Sequence, residues 1–275
     1  MRERAQVLLK VIESDIKSNR LILPSLPEVA ITVRNLIADP NCSTNCLARE
    51  IVKDATIAAR LIKVANSSFM RRGRPVSSVK QAVASLGFDL VRSLVTQLAI
   101  LQTMRTSKDQ RRLQGFVASG MHISTLCYSI ARNHQHLDPE LASLAGLLHD
   151  IGKLPLRDFL LGQEQMSKIE RLQFELILHP LVGTMLLRHW QMTEELVQVA
   201  RWHETVMRET GKDEPDYVDV TIAANLLHYG TSRGRYVKYA NISIPAIAKC
   251  GLSGNQLNQE VTAQRMLVSQ AMTGA

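Results

Sequence analysis

Aromatic side chains are scarce in this 275-residue chain, at 4%, and that scarcity tells against a nucleic-acid groove despite a formal charge of +8 and a pI near 9.5. Such a charge favours acidic partners, among them nucleic acid, nucleotides and anionic lipid. It is scattered, however. Basic clusters stand at Arg71, Arg72 and Arg74, at Lys108, Arg111 and Arg112, and at Arg233, Arg235 and Lys238. Only the last is interleaved with rings, Tyr229, Tyr236 and Tyr239. None matches a nucleic-acid motif, so the clusters read as solvated loops and helix ends, and nucleic acid is not an expected partner.

Cysteine is also sparse. Cys42, Cys46, Cys127 and Cys250 show no paired spacing, and Cys42 with Cys46 lacks the second pair that a zinc knuckle needs. They read as reduced thiols. The chain opens without a charged-then-apolar leader and contains no run near the roughly 20 apolar residues of a membrane span. The expectation is a cytoplasmic protein with no membrane partner. Period-2 alternation is missing too, which excludes a sheet of any size and leaves an all-α fold. At 45% hydrophobic residues, the chain can bury a core without staples, as one large domain or two lobes.

Several stop and start signals divide the chain. Residues Met1 to Arg20 read as an amphipathic helix with Val7, Leu8, Val11 and Ile12 on one stripe, broken by LPSLPE. Pro27 opens the next helix, which stops at Asp39 and Pro40. Ser43 or Thr44 caps a third, Asp54 a fourth and Ser77 or Ser78 a fifth, with Gly87 as its C-cap. A long helix follows from about Phe88 to Met104. It is apolar on most sides and should be covered on most sides. The polar stretch Arg105 to Arg112 then marks a boundary, giving an N-terminal helical lobe, 1–105, and a second lobe, 106–275.

The second lobe holds the chemistry. Leu141, Leu144, Ala145 and Leu148 repeat at helical spacing, and the helix runs into His149, Asp150, Gly152 and Lys153. His122 lies on a helix from Phe116 to Arg132, among the small residues Ala118, Ser119, Thr125 and Ser129. The stretch from Asp158 to Arg171 reads as a polar run. His179 precedes Pro180, which should open a helix to Trp190, and His203 rides on a helix capped by Thr193. Five candidate ligands, His122, His149, Asp150, His179 and His203, thus fall on or beside four helices, and a bundle can bring such groups to one centre. Imidazole nitrogens with a carboxylate suit a transition-metal dication.

In order and content the motifs resemble the HD-domain superfamily and, more narrowly, the HDOD family. The resemblance spans about Leu21 to Met207 and rests on LPSLPEVA, IVKDATIAARLIKVANSSFM, VSSVKQAVASLGFDLVRSLV and AGLLHDIGKL, followed by HPLVGTMLLRHW and RWHE. It implies a multi-helix bundle in which His122, His149, Asp150, His179 and His203 are the metal-ligand positions. Asp150 and Lys153 are then the candidate catalytic groups, with Lys153 facing a substrate phosphate. One departure stands out: where catalytic relatives place a final aspartate, this chain has Asn225 in AANLL, with Asp219 fitting the register less well. An amide brings no negative charge to a dication. The resemblance therefore implies Fe, Mn, Zn or Mg, held loosely or not at all, and weak or no hydrolysis. Two functions stay open: a bacterial signalling module acting through a partner protein or a small nucleotide ligand, and a metal-dependent phosphohydrolase acting on nucleotides or cyclic dinucleotides. The signalling module is favoured. The sequence is silent on oligomeric state.

Overall fold

The structure, a computed structural model, describes residues 2–18, 20–21, 23, 25–66, 75–104, 110–231 and 234–252. Among these residues every regular element is helical and no strand forms. The first six helices are α1 (Arg2–Lys17), α2 (Glu28–Ala38), α3 (Thr44–Val52), α4 (Ala55–Ala65), α5 (Val79–Leu86) and α6 (Phe88–Met104). Then come α7 (Gln110–Ala131), α8 (Pro139–Leu148), α9 (Lys153–Leu161), α10 (Lys168–His189), α11 (Glu194–Trp202) and α12 (Tyr217–Tyr229). A 3-10 segment (Gly234–Tyr239) and α13 (Pro245–Lys249) complete the described chain. No described helix is long and apolar enough to cross a membrane, and all four cysteines are free thiols. Arg71, Arg72, Arg74, Lys108 and Arg233 lie outside the described residues.

Two compact units divide the chain. Of the described residues, those up to Ser25 go with Ala145–Gly251 in one unit, and Leu26–Leu144 form the other with Leu252. The first helix thus belongs with the later residues, because its apolar stripe is covered by them. Ala5, Leu8 and Ile12 of α1 join Leu156 and Leu160 of α9 and Phe174, Leu178 and Val182 of α10 in one buried cluster. Each large side chain so covered contributes about 1.5–3 kcal/mol. In the other unit, Ser43, Asp54 and Ser78 accept the capping bonds at the starts of α3, α4 and α5, and Gly87 ends α5 at φ +83°. That is a left-handed backbone open to glycine. α6 packs on α2 and α4 and buries Val91, Val95, Thr96, Leu98 and Ala99.

α10 corrects two expectations. It begins in what reads as a polar run and passes straight through Pro180, which was expected to open a helix. Its start is a reciprocal cap: Ser167 Oγ accepts from the Glu170 N–H, and the Glu170 carboxylate accepts from the Ser167 N–H at 3.0 Å. A proline inside a helix removes one hydrogen bond and costs about 3 kcal/mol. Phe174, Leu178, Val182 and Leu186, four residues apart on one buried stripe, outweigh that cost.

α12 is capped with equal care. Asp216 accepts from the N–H groups of Val218 and Asp219 at 2.9 Å and takes both arms of the Arg208 guanidinium at 2.6 and 2.8 Å. Burial opposes the Asp216 charge, but Arg208 and the two N–H groups hold its pKa below the ordinary 3.8. Asp216→Ala is expected to cost about 1 kcal/mol at pH 7, the worth of an N-cap, because a carboxylate 47% exposed gains little from its ion pair. A depressed pKa gives stability above the unfolded value that is lost as pH falls through the folded one. Urea unfolding should therefore show the gap between wild type and variant shrinking at low pH. An equal gap at pH 7 and at about pH 2.5 would refute the linkage.

Candidate metal centre

α8 ends at Leu148, and a tight turn over residues 149–152 carries His149 and Asp150 into the interior before α9 begins. The turn is fixed by backbone contact. A Cβ on Gly152 would lie 2.1 Å from the His179 carbonyl oxygen and 2.3 Å from the Gly183 nitrogen. Gly183 serves the same contact from the other side, since its own Cβ would sit 3.3 Å from the Gly152 nitrogen, with Ala200 of α11 at an ordinary packing distance of 3.5 Å. Two glycines thus let the turn and α10 come within ligand distance of one another. Arg157 of α9 adds a two-armed bond to Glu175 of α10, both arms at 2.7 Å.

Three imidazoles are held the same way. Nδ1 of His149 donates to the Gly146 carbonyl at 2.7 Å, that of His179 to the Glu175 carbonyl at 2.8 Å, and that of His203 to the Val199 and Ala200 carbonyls at 3.0 Å. A carbonyl accepts only, so each Nδ1 carries the proton and each Nε2 is left as the ligating nitrogen. These Nε2 atoms surround the Asp150 carboxylate: His179 and His203 stand 3.0 and 3.3 Å from Oδ1, and His149 stands 3.4 Å from Oδ2. Glu204 Oε1 lies 3.6 Å from His179 Nε2 and 3.5 Å from His203 Nε2. Asp150, His179, His203 and Glu204 each offer a ligand atom, and these atoms lie within 4.8 Å of one another.

The electrostatics fit a cation. Burial disfavours the Asp150 carboxylate, yet His149 and Lys153 beside it hold its pKa well below the ordinary range. Burial lowers the pKa of His179, whereas Asp150 and Glu204 outweigh burial at His203 and raise it to about 9. The two Nε2 atoms are 3.1 Å apart, so a proton on His203 bridges to the lone pair of neutral His179. Against burial, His203 and Arg235 bring the Glu204 pKa down to about 2, so it stays anionic. Two acceptors still go without a hydrogen bond among the described residues, His149 Nε2 and Asp150 Oδ1. Buried polar atoms left so cost about 1–3 kcal/mol each. A dication among these nitrogens and carboxylates satisfies them, and the N,O donor set suits Mn, Fe or Zn better than Mg.

Four of the five ligand positions are placed together: His149, Asp150, His179 and His203. His122 sits buried on α7 in the other unit, where Ser124 of α7 meets Ser143 of α8 at 2.8 Å between hydroxyls. Lys153 Nζ donates to Asp150 Oδ2, so its ammonium is bound to a ligand carboxylate. Asp219 is fully buried and holds Arg208 at 3.0 Å and Lys249 at 3.3 Å, which makes it a structural ion-pair residue. Asn225 is buried on α12, and neither amide atom finds a hydrogen bond among the described residues. Sequence reading missed Glu204, although it stands in RWHE directly after a ligand histidine. It also took Arg235 for a solvated loop residue. Arg235 Nη1 binds Glu204 Oε1 at 2.5 Å, and its guanidinium lies over the rings of Tyr229 and Tyr236 at 5.2 and 4.6 Å.

A helical protein with a buried histidine and carboxylate centre is the class these features define. The HDOD domain family matches residues 23–206, and the chain belongs to that family. Among solved structures, it is similar over 98% of its length to all of a protein from Shewanella amazonensis SB2B named "Putative metal-dependent phosphohydrolase", at 24% identity and a TM-score of 0.77. An HDOD domain protein with unknown function from Geobacter sulfurreducens matches 99% of the chain over its whole length, at 21% identity and a TM-score of 0.72. A "Putative signal transduction protein" from Marinobacter aquaeolei VT8 matches 92% of the chain with 59% of its own, at 24% identity and a TM-score of 0.64. No curated protein matches the chain. Identities this low speak for the fold alone.

Proposed function

We propose that this HDOD protein is a signalling module whose conformation depends on a divalent cation held by Asp150, His179, His203 and Glu204, with His149 beside them. The observation that carries this reading is the shared anchoring of three imidazoles, each with Nδ1 bonded to a carbonyl of its own segment and Nε2 turned to Asp150. Orientation of that kind is what metal-ligating histidines need, and it raises their basicity. His122 belongs to the other unit, and the reading does not draw on it.

Burial favours a regulatory centre over turnover. His179 and His203 are 0% exposed and Asp150 is 6% exposed, which leaves little room for a phosphodiester beside the donors. Lys153, the group that would face a phosphate, is bound to Asp150. When bound, a divalent cation supplies Lewis acidity and lowers the pKa of coordinated water. The chain's own residues hold the three histidines and Asp150 apart from solvent, keep Asp150 charged and fix the ring tautomers.

Metal analysis of protein purified without chelators, followed by titration with Mn²⁺ and Zn²⁺, tests the reading. A single cation per chain is expected, together with negligible hydrolysis of bis(p-nitrophenyl) phosphate. Protein that takes up no cation under any of these conditions refutes the cation centre. Rapid hydrolysis would instead make the protein a phosphohydrolase.

A further inference from the structure

Seven buried polar atoms of the Ala145–Gly251 segment make no hydrogen bond among the described residues, and the four that belong to the centre and to the Arg235–Tyr236 pair are of two kinds. His149 Nε2 and Asp150 Oδ1 are acceptors, which a cation satisfies. Arg235 Nη2 can only donate, a need that no cation meets, and Tyr236 Oη beside it can donate as well as accept. They call for an oxygen-rich anion.

Arg235 is held in place for one. Glu204 grips Nη1 at 2.5 Å, and the rings of Tyr229 and Tyr236 sit against its plane, so Nη2 is positioned but has no acceptor. Together Arg235 and Glu204 form the accessible edge of an otherwise closed centre: their side chains are 29% and 25% exposed, against 0% for His179 and His203. Lys238, exposed and stacked 4.9 Å over Tyr239, adds positive potential on the same 3-10 segment. Tyr229, Arg235, Tyr236, Lys238 and Tyr239 lie beyond residue 206, where the family match ends.

We propose that Arg235 receives an oxyanion of the phosphate class, and that this anion and the divalent cation bind cooperatively because both draw on Glu204. The proposal rests on the cation reading above. Glu204 Oε1 faces the guanidinium on one side and the two Nε2 atoms on the other. A phosphate that accepts from Arg235 in two-armed fashion releases the carboxylate toward the cation. Conversely, a cation that draws Glu204 away leaves the guanidinium in need of an anion. By linkage the two effects are equal in size.

Mn²⁺ titrations, read from the electron paramagnetic resonance of the free aqua ion and corrected with protein-free blanks, test this with and without 1 mM inorganic phosphate or GMP as ligand probes at about that concentration. In the wild type, phosphate is expected to tighten Mn²⁺ binding by about tenfold, within the range of ordinary site-to-site coupling. Arg235→Gln should bind Mn²⁺ about tenfold more tightly than wild type without phosphate, and should ignore phosphate. Glu204→Gln, a second variant in case the first folds poorly, should keep a weakened cation site and lose the phosphate response. A response to inorganic phosphate upholds the proposal as it stands, and a response to GMP alone upholds it with a nucleotide as ligand. Mn²⁺ binding indifferent to both in the wild type, or a phosphate response that survives Arg235→Gln, overturns it and leaves the cation reading intact. No Mn²⁺ binding by any of the three proteins overturns both.

Discussion

Asp150→Ala is expected to cost about 3–5 kcal/mol of stability in metal-free protein and to abolish cation binding. Asp150 is the only carboxylate in contact with His149, Lys153, His179 and His203 together among the described residues. Removing it leaves the Lys153 ammonium and the raised-pKa His203 buried without their main counter-charge. An uncompensated buried charge accounts for a penalty of that size, and mutual repulsion between Lys153 and His203 adds to it. Urea unfolding in chelator gives the stability change, and Mn²⁺ titration of the folded fraction gives the affinity. A loss below about 1 kcal/mol with unchanged affinity would mean that Asp150 neither neutralises this cluster nor ligates the cation.

Gly152→Ala should be nearly as damaging, for a reason unrelated to charge. The added Cβ would meet backbone atoms of His179 and Gly183 at 2.1 and 2.3 Å, contacts that no rotamer change can relieve. Either the turn bearing His149 and Asp150 or α10 bearing His179 must retreat. A cost of about 3 kcal/mol is expected, at the upper end for overpacking. Cation affinity should fall at least tenfold as well, because a displacement of about 1 Å is large on the scale of ligand bonds. Thermal unfolding and metal titration of the variant measure both effects, and a variant with wild-type stability would show that the turn is looser than its contacts indicate.

Much of this is legible in the amino-acid sequence. Capping residues and apolar periodicity are local signals, so Ser43, Asp54, Ser78 and Gly87 mark helix ends that the structure reproduces. The histidine and aspartate set was legible for a similar reason, since His149, Asp150, His179 and His203 stand in recognisable phrases. Non-local effects were hidden. Pro180 reads as a helix start because a proline's preference is local, whereas the buried stripe that carries α10 through it is tertiary. The first half of α10 reads as polar, and Ile169, Leu172 and Leu176 do remain exposed there, so its helical pattern does not coincide with its buried face. Glu204 was missed because an acid at a helix end is ordinarily solvated. Only the fold shows Arg235, 31 positions further on, holding it at the centre.

The docking of α1 has a consequence in time. Ala5, Leu8 and Ile12 are synthesised long before Phe174, Leu178 and Val182, the residues that cover them. The gap is roughly 160 residues, which corresponds to a delay of about 8–30 s at ordinary elongation rates. During that interval the helix is an amphipathic segment without its partner surface. Its stripe is what a chaperone binds, and its docking onto α10 must follow synthesis of the histidine segment instead of preceding it. A truncation at the family boundary, residue 23, would remove this helix and leave Phe174 and Leu178 facing water.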